Sequence, residues 1–328
     1  MKTSTLGRTG ATVSSIGLGT WQLGADWGDV SEADAHAVLD AAVESGVTMF
    51  DTADVYGDGR SEQLIGEYLR DRPDANVFVA TKIGRRLPQV PENYSAENFR
   101  LWTERSLRNL GVETLDLVQL HCPPTPVYSI DRVYDDLDQL VAEGKLRHYG
   151  VSVETSAEAL TAIARPNVAS VQIVFNAFRL KPLDAVLPAA IAAGVGIIAR
   201  VPLASGLLSG RYTADTVFAE NDHRNYNREG KHFDVGETFA GVDFATGVEA
   251  AHEFSALAAQ HGVTPAMAAL AWLAQLPGVS TVIPGARSPE QACANAAAGD
   301  VTELGPEFHA RVVELYDRRF RAAVHERW

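Results

Sequence analysis

Short, continuous apolar runs alternate with longer amphipathic stretches along almost the whole chain, and no other feature limits its possible folds as strongly. The runs are Ile16–Gly19, Val47–Phe50, Val77–Ala80, Leu115–Leu120, Tyr149–Val153, Ser170–Val174, Val195–Ala199 and Val279–Ile283. Several are apolar without alternation, as in strands covered on both faces, which suits a parallel sheet. The intervening stretches carry helix signals. Ser31-Glu32-Ala33-Asp34 opens one in which Ala35, Val38, Leu39, Ala42 and Val43 recur at helical spacing, with Gly46 beyond its end. Ser61-Glu62 and Ser95-Ala96-Glu97 open two more. The same spacing predicts helices over 132–143, 156–164, 184–193, 246–261, 265–275 and 288–298, and from Pro306 to about His325.

Strand then helix, repeated eight times, reads as a (β/α)8 barrel occupying residues 1–328 as a single domain. The competing arrangement is an open doubly wound sheet. Its first strand usually runs into G-x-G-x-x-G, and here Gly17-Leu18-Gly19-Thr20-Trp21 lacks the third glycine. Gly7-Arg8-Thr9-Gly10, between threonine-rich flanks, predicts a β-hairpin ahead of the barrel. Residues 211–241 are polar and weakly periodic, yet contain Phe218, Tyr226, Phe233 and Phe239. That is more aromatic weight than a disordered spacer carries, so the segment reads as a lid after the seventh strand.

Charge narrows the partners. Lys and Arg number 28 against 42 Asp and Glu, a net charge of −14, which argues against nucleic acid as a ligand but leaves room for a small anion held locally. Cys122 and Cys293 are too few for a disulfide framework and belong to no metal-spaced cluster, so reduced thiols and no metal are expected. The N-terminal residues show no signal-peptide pattern, and no apolar run approaches the ~20 residues of a membrane span. The expectation is a cytoplasmic protein without a membrane partner; its oligomeric state stays open.

Barrels place their chemistry at the C-terminal ends of the strands. There the second strand ends at Asp51 with Tyr56 soon after, the third at Lys82 and the fourth at His121. A tyrosine with a reference pKa of about 10 is a poor proton donor near neutrality. A neighbouring ammonium lowers that value, and a carboxylate behind the lysine keeps it charged and oriented. Histidine at the next strand end can hydrogen-bond a carbonyl oxygen or share the proton relay. Together these groups describe a general acid over a carbonyl. Protonating that oxygen is productive when hydride reaches the carbon, which requires a cofactor.

The sequence resembles the aldo-keto reductase family from about Thr5 to Ala298. Asp51-Thr52-Ala53-Asp54-Val55-Tyr56-Gly57, followed by Ser61-Glu62 and Ile65-Gly66, is similar to the signature around the family's catalytic Asp and Tyr. Lys82 in Ala80-Thr81-Lys82 and His121 after Asp116-Leu117-Val118-Gln119-Leu120 match its catalytic Lys and His. The resemblance implies a metal-free barrel that reduces a small-molecule aldehyde or ketone with NADPH, NADH being possible. It implies cofactor contacts at Gly19, Thr20, Trp21 and Asp51. Ser152 and Gln172 would bind the nicotinamide carboxamide, Pro202, Leu203, Ser205 and Gly206 the pyrophosphate side, and Gly285, Arg287, Gln291 and Asn295 the adenosine phosphate. The lid run Asp222–Arg228 is similar to a loop that folds over the cofactor in bacterial members, and its cations are candidate pyrophosphate contacts. Trp21, Trp27, Phe178 and Tyr94 are candidate walls of the substrate pocket.

Four positions depart from the family pattern. Val153 stands where Asn is frequent, and Arg200 where many members stack a tyrosine on the nicotinamide. A guanidinium repels an oxidised nicotinamide, so Arg200 is expected to favour the reduced cofactor. Gly285 falls where NADPH-preferring members often carry lysine, and Gln291 replaces a frequent arginine. Preference for NADPH therefore rests on Arg287, which could pair with a 2′-phosphate. The resemblance also leaves two alternatives: a cofactor-sensing regulatory subunit with little turnover, and a sugar or polyol dehydrogenase running in the oxidative direction.

Overall fold

Two short strands, β1 (Thr3–Thr5) and β2 (Thr12–Ser14), pair antiparallel across residues 6–11 and form the predicted hairpin. In this computed structural model, which describes residues 1–24, 30–220 and 222–328, the hairpin plugs the underside of a barrel. Its Leu6 and Val13 are fully buried among Met49, Ala80, Leu117 and Ile198. The hairpin comes so close that a Cβ at Gly7 would sit 2.0 Å from the Gly196 nitrogen, at a φ of +47°.

The barrel staves are β3 (Leu18–Gly19), β4 (Met49–Asp51), β5 (Phe78–Ile83), β6 (Leu115–His121), β7 (Leu146–Val153), β8 (Val168–Val174), β9 (Gly196–Arg200) and β10 (Val279–Val282). Each lies parallel to the next in chain order. Closure between β10 and β3 rests on isolated bridges, Ile16 to Val282 and Gly19 to Gly285. The predicted first strand is thus ordered over its whole run but paired as a ladder only at its end.

The strands are wrapped by α1 (Glu32–Glu44), α2 (Arg60–Asp71), α3 (Ala96–Leu110), α4 (Asp131–Ala142), α5 (Ser156–Ile163) and α6 (Val186–Ala193). After β9 come a single turn, α7 (His223–Tyr226), and then α8 (Phe244–Gln260) and α9 (Pro265–Ala274). The chain finishes with α10 (Pro289–Ala296) and α11 (Gly305–Tyr316). Two of the three serine starts act as read from sequence: Ser31 and Ser95 cap α1 and α3 by accepting from the Asp34 and Asn98 amides, whereas α2 starts from Gly59 and Ser61 lies inside its first turn, its hydroxyl donating to the Thr20 carbonyl. Beyond α11 the helix widens at Asp317–Arg321 and carries the chain back toward the lid.

Residues 211–220 and 222–241 cross the open, C-terminal mouth of the barrel, as expected of a lid. Their aromatics supply the anchor: Phe218 and Phe239 are buried against Tyr212 and Phe244, with the Phe239 and Phe244 ring centroids 5.0 Å apart. Among the described residues no helix is long and apolar enough to cross a membrane.

Candidate active site

At the lidded mouth the ends of β4, β5 and β6 bring Asp51, Lys82 and His121 together, and the turn after β4 folds Tyr56 back over them. Lys82 is buried, and its ammonium spends all three N–H bonds inside the protein: on Asp51 Oδ1 at 2.5 Å, the Thr52 carbonyl at 2.9 Å and Tyr56 Oη at 3.3 Å. Asp51 Oδ2 accepts in turn from Gln172 Nε2 at 2.7 Å and Gln119 Nε2 at 3.2 Å. Strands β4, β5, β6 and β8 therefore share one polar layer, and the carboxylate that neutralises Lys82 is itself fixed from two sides. Tyr56 and His121 stand edge to face, ring centroids 5.9 Å apart.

The electrostatics follow from burial. Burial works against charge on Lys82, but Asp51 and the Tyr56 oxygen outweigh it, so the ammonium is held more firmly than usual. Tyr56 departs from the sequence expectation. Burial is the largest influence and lifts its pKa above the ordinary value; Lys82 pulls down, but its charge is shared with Asp51. His121 is pushed well below its usual range by burial and by the cations Arg85, Lys82 and Arg200, so the ring is neutral.

A groove of about 850 Å³ runs from Tyr56 and His121 across the barrel mouth. Gly19, Thr20, Trp21, Asp51, Ser152 and Gln172 line its catalytic end, with Arg200 beside them. Pro202, Leu203, Ser205 and Gly206 line it as well, and so do Arg287, Gln291, Asn295 and Gly285, the last bridged to Gly19. The residues expected to contact a cofactor are thus brought onto one surface, and Lys82 lies beneath it. Several have their side chains partly committed. Gln291 Oε1 accepts from the Arg287 amide, Asn295 donates to the Gly285 carbonyl, and the Ser205 hydroxyl ties the lid by donating to Glu237 O and accepting from the Phe239 amide. Glycine is required at 206, where a Cβ would meet Tyr212 Oη at 2.2 Å.

Arg200 is not the bare cation read from sequence. It is buried and ion-paired with Glu237 from the lid and, at 3.0 Å, with Glu154 just past β7. Arg85 joins them, reaching Glu154 at 3.4 Å and the His121 carbonyl at 2.9 Å. Sequence reasoning missed Arg85, Glu154, Glu237 and Gln22, all near or lining the groove; for Glu154 and Arg85, adjacency to the strand ends at Val153 and Ile83 was the available signal. The candidate walls divide. Trp21 stacks on Tyr56 with centroids 6.1 Å apart and meets His223 and Phe233 of the lid. Phe178 and Tyr94 are core residues instead, Phe178 against Phe320 and Tyr94 against Phe99 and Trp102. Trp27 lies outside the described residues. In the lid, Arg224 pairs with Asp222 and donates to Tyr212.

The aldo/keto reductase family model matches residues 15–317. An oxidoreductase of Mycobacterium tuberculosis is 35% identical over 296 residues, covering 88% of this chain and 85% of its own. A probable aldo-keto reductase of Glycine max is 30% identical, covering 85% and 79%. Among solved structures, a glycerol dehydrogenase from Gluconobacter oxydans superposes with a TM-score of 0.78 at 29% identity, covering 94% of this chain and 93% of its own. An aldo-keto reductase from Klebsiella pneumoniae in complex with NADPH superposes with a TM-score of 0.70 at 27% identity, covering 96% of each chain. With the match spanning nearly the whole barrel, the chain belongs to the aldo/keto reductase family.

Proposed function

We infer that the protein is an NADPH-dependent reductase of an aldehyde or ketone, with Tyr56 as the general acid. The observation that carries this reading is the saturation of Lys82. Its third N–H bond ends on Tyr56 Oη, so the phenol oxygen is an acceptor on the protein side and its own proton is left for the groove.

The groove suits the cofactor. Ser152 and Gln172, whose Nε2 is already turned onto Asp51, would meet the carboxamide; the 202–206 loop would follow the middle; Arg287 would meet the phosphate of the adenosine. When bound, NADPH supplies hydride to the carbonyl carbon. The remaining work falls to the chain. Burial keeps Tyr56 protonated until a developing alkoxide draws the proton away, and Lys82 then stabilises the phenolate left behind. His121 Nδ1 is buried without a partner among the described residues. An orphaned lone pair costs less than an orphaned N–H, so the neutral ring carries its proton on Nε2 and donates to the carbonyl oxygen. Trp21 and Phe233 exclude water from the same spot.

Tyr56→Phe tests the assignment. It should lower kcat by about a hundredfold or more while NADPH still quenches tryptophan fluorescence; wild-type turnover in that variant refutes the role. The oxidative reading, a sugar or polyol dehydrogenase, draws support from the compensated charge of Arg200 and from the likeness to a glycerol dehydrogenase. Reduction of aldehydes, ketones, α-keto acids and sugars, and oxidation of polyols, assayed with both cofactors, ranks the two directions.

A further inference from the structure

The charged groups behind Arg200 form a unit that the proton relay does not use. Arg200 binds Glu237 through Nη1, and through Nη2 both Glu154 and the Val153 carbonyl, the latter at 3.0 Å. Arg85 reaches the other oxygen of Glu154, and the buried Arg179 donates to the Glu154 carbonyl at 2.6 Å. Asp234 sits in the same field, accepting from the Gly236 amide and Trp328 Nε1. Three guanidinium groups thus face three carboxylates, so their formal charges balance, with burial raising the carboxyl pKa values of Glu237 and Asp234 against the pull of Arg200. Burial weighs against the charge of Arg200, but Glu237 and Glu154 outweigh it and keep it protonated. Two of the carboxylates, Asp234 and Glu237, belong to the lid, and Glu237 reaches the groove, lining it together with Arg200, Tyr56 and His121.

That reach matters because of where hydride must come from. A carbonyl oxygen bonded to Tyr56 has its carbon about 1.2 Å away, and a hydride donor must approach that carbon within roughly 3–3.5 Å. The donor ring therefore lies inside the field of Arg200 and Glu237. A nicotinamide is neutral when reduced and cationic when oxidised, so this field acts differently on the two forms.

We propose that Glu237, delivered by the lid, sets the relative affinity of the site for oxidised and reduced cofactor by cancelling the charge of Arg200 beside the nicotinamide. The proposal rests on the reading that the groove binds NADP(H). With Glu237 in place the site accepts the cationic ring. Without it one uncompensated guanidinium charge remains and selects against NADP+.

Fluorescence titration of wild type, Glu237→Gln, Arg200→Gln and the double variant with NADP+ and NADPH tests this without turnover. Glu237→Gln should weaken NADP+ at least fivefold and NADPH less than twofold. Arg200→Gln should move the ratio of the two affinities the opposite way, and the double variant should return it to within twofold of wild type. Equal weakening of both cofactors in Glu237→Gln overturns the proposal, because the residue then only holds the lid; an unchanged ratio overturns it as well. Should Glu237→Gln fail to fold, an unchanged ratio in Arg200→Gln overturns it by itself. Wild type binding neither cofactor overturns the cofactor reading, and this proposal with it.

Discussion

Asp54, two residues before Tyr56, is fully buried, and neither carboxyl oxygen has a hydrogen-bond partner among the described residues. Burial, and then the nearby Glu62, raise its pKa to about 7, against the pull of Arg86 and Arg105. An unfolded aspartate titrates near 3.9, so the fold carries a gap of roughly 3 units, worth about 4 kcal/mol at about 1.4 kcal/mol per unit. The folded value lies above the unfolded one, so the group costs nothing below pH ~4, where both states are protonated. The cost grows by about 1.4 kcal/mol per pH unit up to ~7 and is constant above. Asp54→Asn keeps the shape and cannot ionise. Its amide introduces a pH-independent cost of about 1–3 kcal/mol for unpaired N–H groups. The stability difference, variant minus wild type, should therefore rise by about 4 kcal/mol between pH 4 and 8. A chain of 328 residues has an unfolding entropy of about 0.7 kcal/mol per kelvin, which converts this into a relative Tm gain of about 6 °C. Circular-dichroism melts of both proteins from pH 5 to 9 at fixed ionic strength measure most of that rise. A Tm difference that is flat with pH, or falls as pH increases, refutes the reasoning.

Arg287→Ala should lower kcat/KM with NADPH by about tenfold or more, in line with a lost charge-assisted bond of about 1.5–3 kcal/mol, and leave NADH within about twofold. Equal loss with both cofactors would deny Arg287 a role in the choice. Burial, followed by the charge of Glu154, pushes the Cys122 thiol up to about 12, whereas Cys293 is exposed. Iodoacetamide at pH 8 should therefore label Cys293 alone, as peptide mass spectrometry of the native protein will report; rapid labelling of Cys122 contradicts its enclosure.

The barrel and its tetrad were legible because both are written locally. Continuous apolar runs mark strands buried on two faces, and Asp51, Lys82 and His121 end consecutive strands, so topology alone assembles them. The partners of Arg200 were not legible, since Glu154 and Glu237 lie 46 and 37 residues away on loops whose course no periodicity dictates. Charge at position 200 was visible; its cancellation was not. Tyr56 was misjudged in the same way, because a lysine's effect on a phenol depends on how deeply both are buried and on who else holds the lysine. Phe178 fell into the core because the wide turn after α11 brings Phe320 over it, with ring centroids 4.7 Å apart.

The seam between β10 and β3 has a further consequence. Neighbouring staves are joined by ladders of two or more residue pairs, whereas this edge is stitched by isolated bonds: the Gly17 amide to the Val282 carbonyl, the Gly19 amide to the Pro284 carbonyl, and the Val282 amide to the Ser15 carbonyl. A sheet opens first where fewest bonds must break together. Gly19 and Gly285, on the two sides of that edge, also border the groove. A ligand seated there would span a join held without a ladder and act as a clasp, so that occupancy would tighten the ring of strands as well as fill the groove.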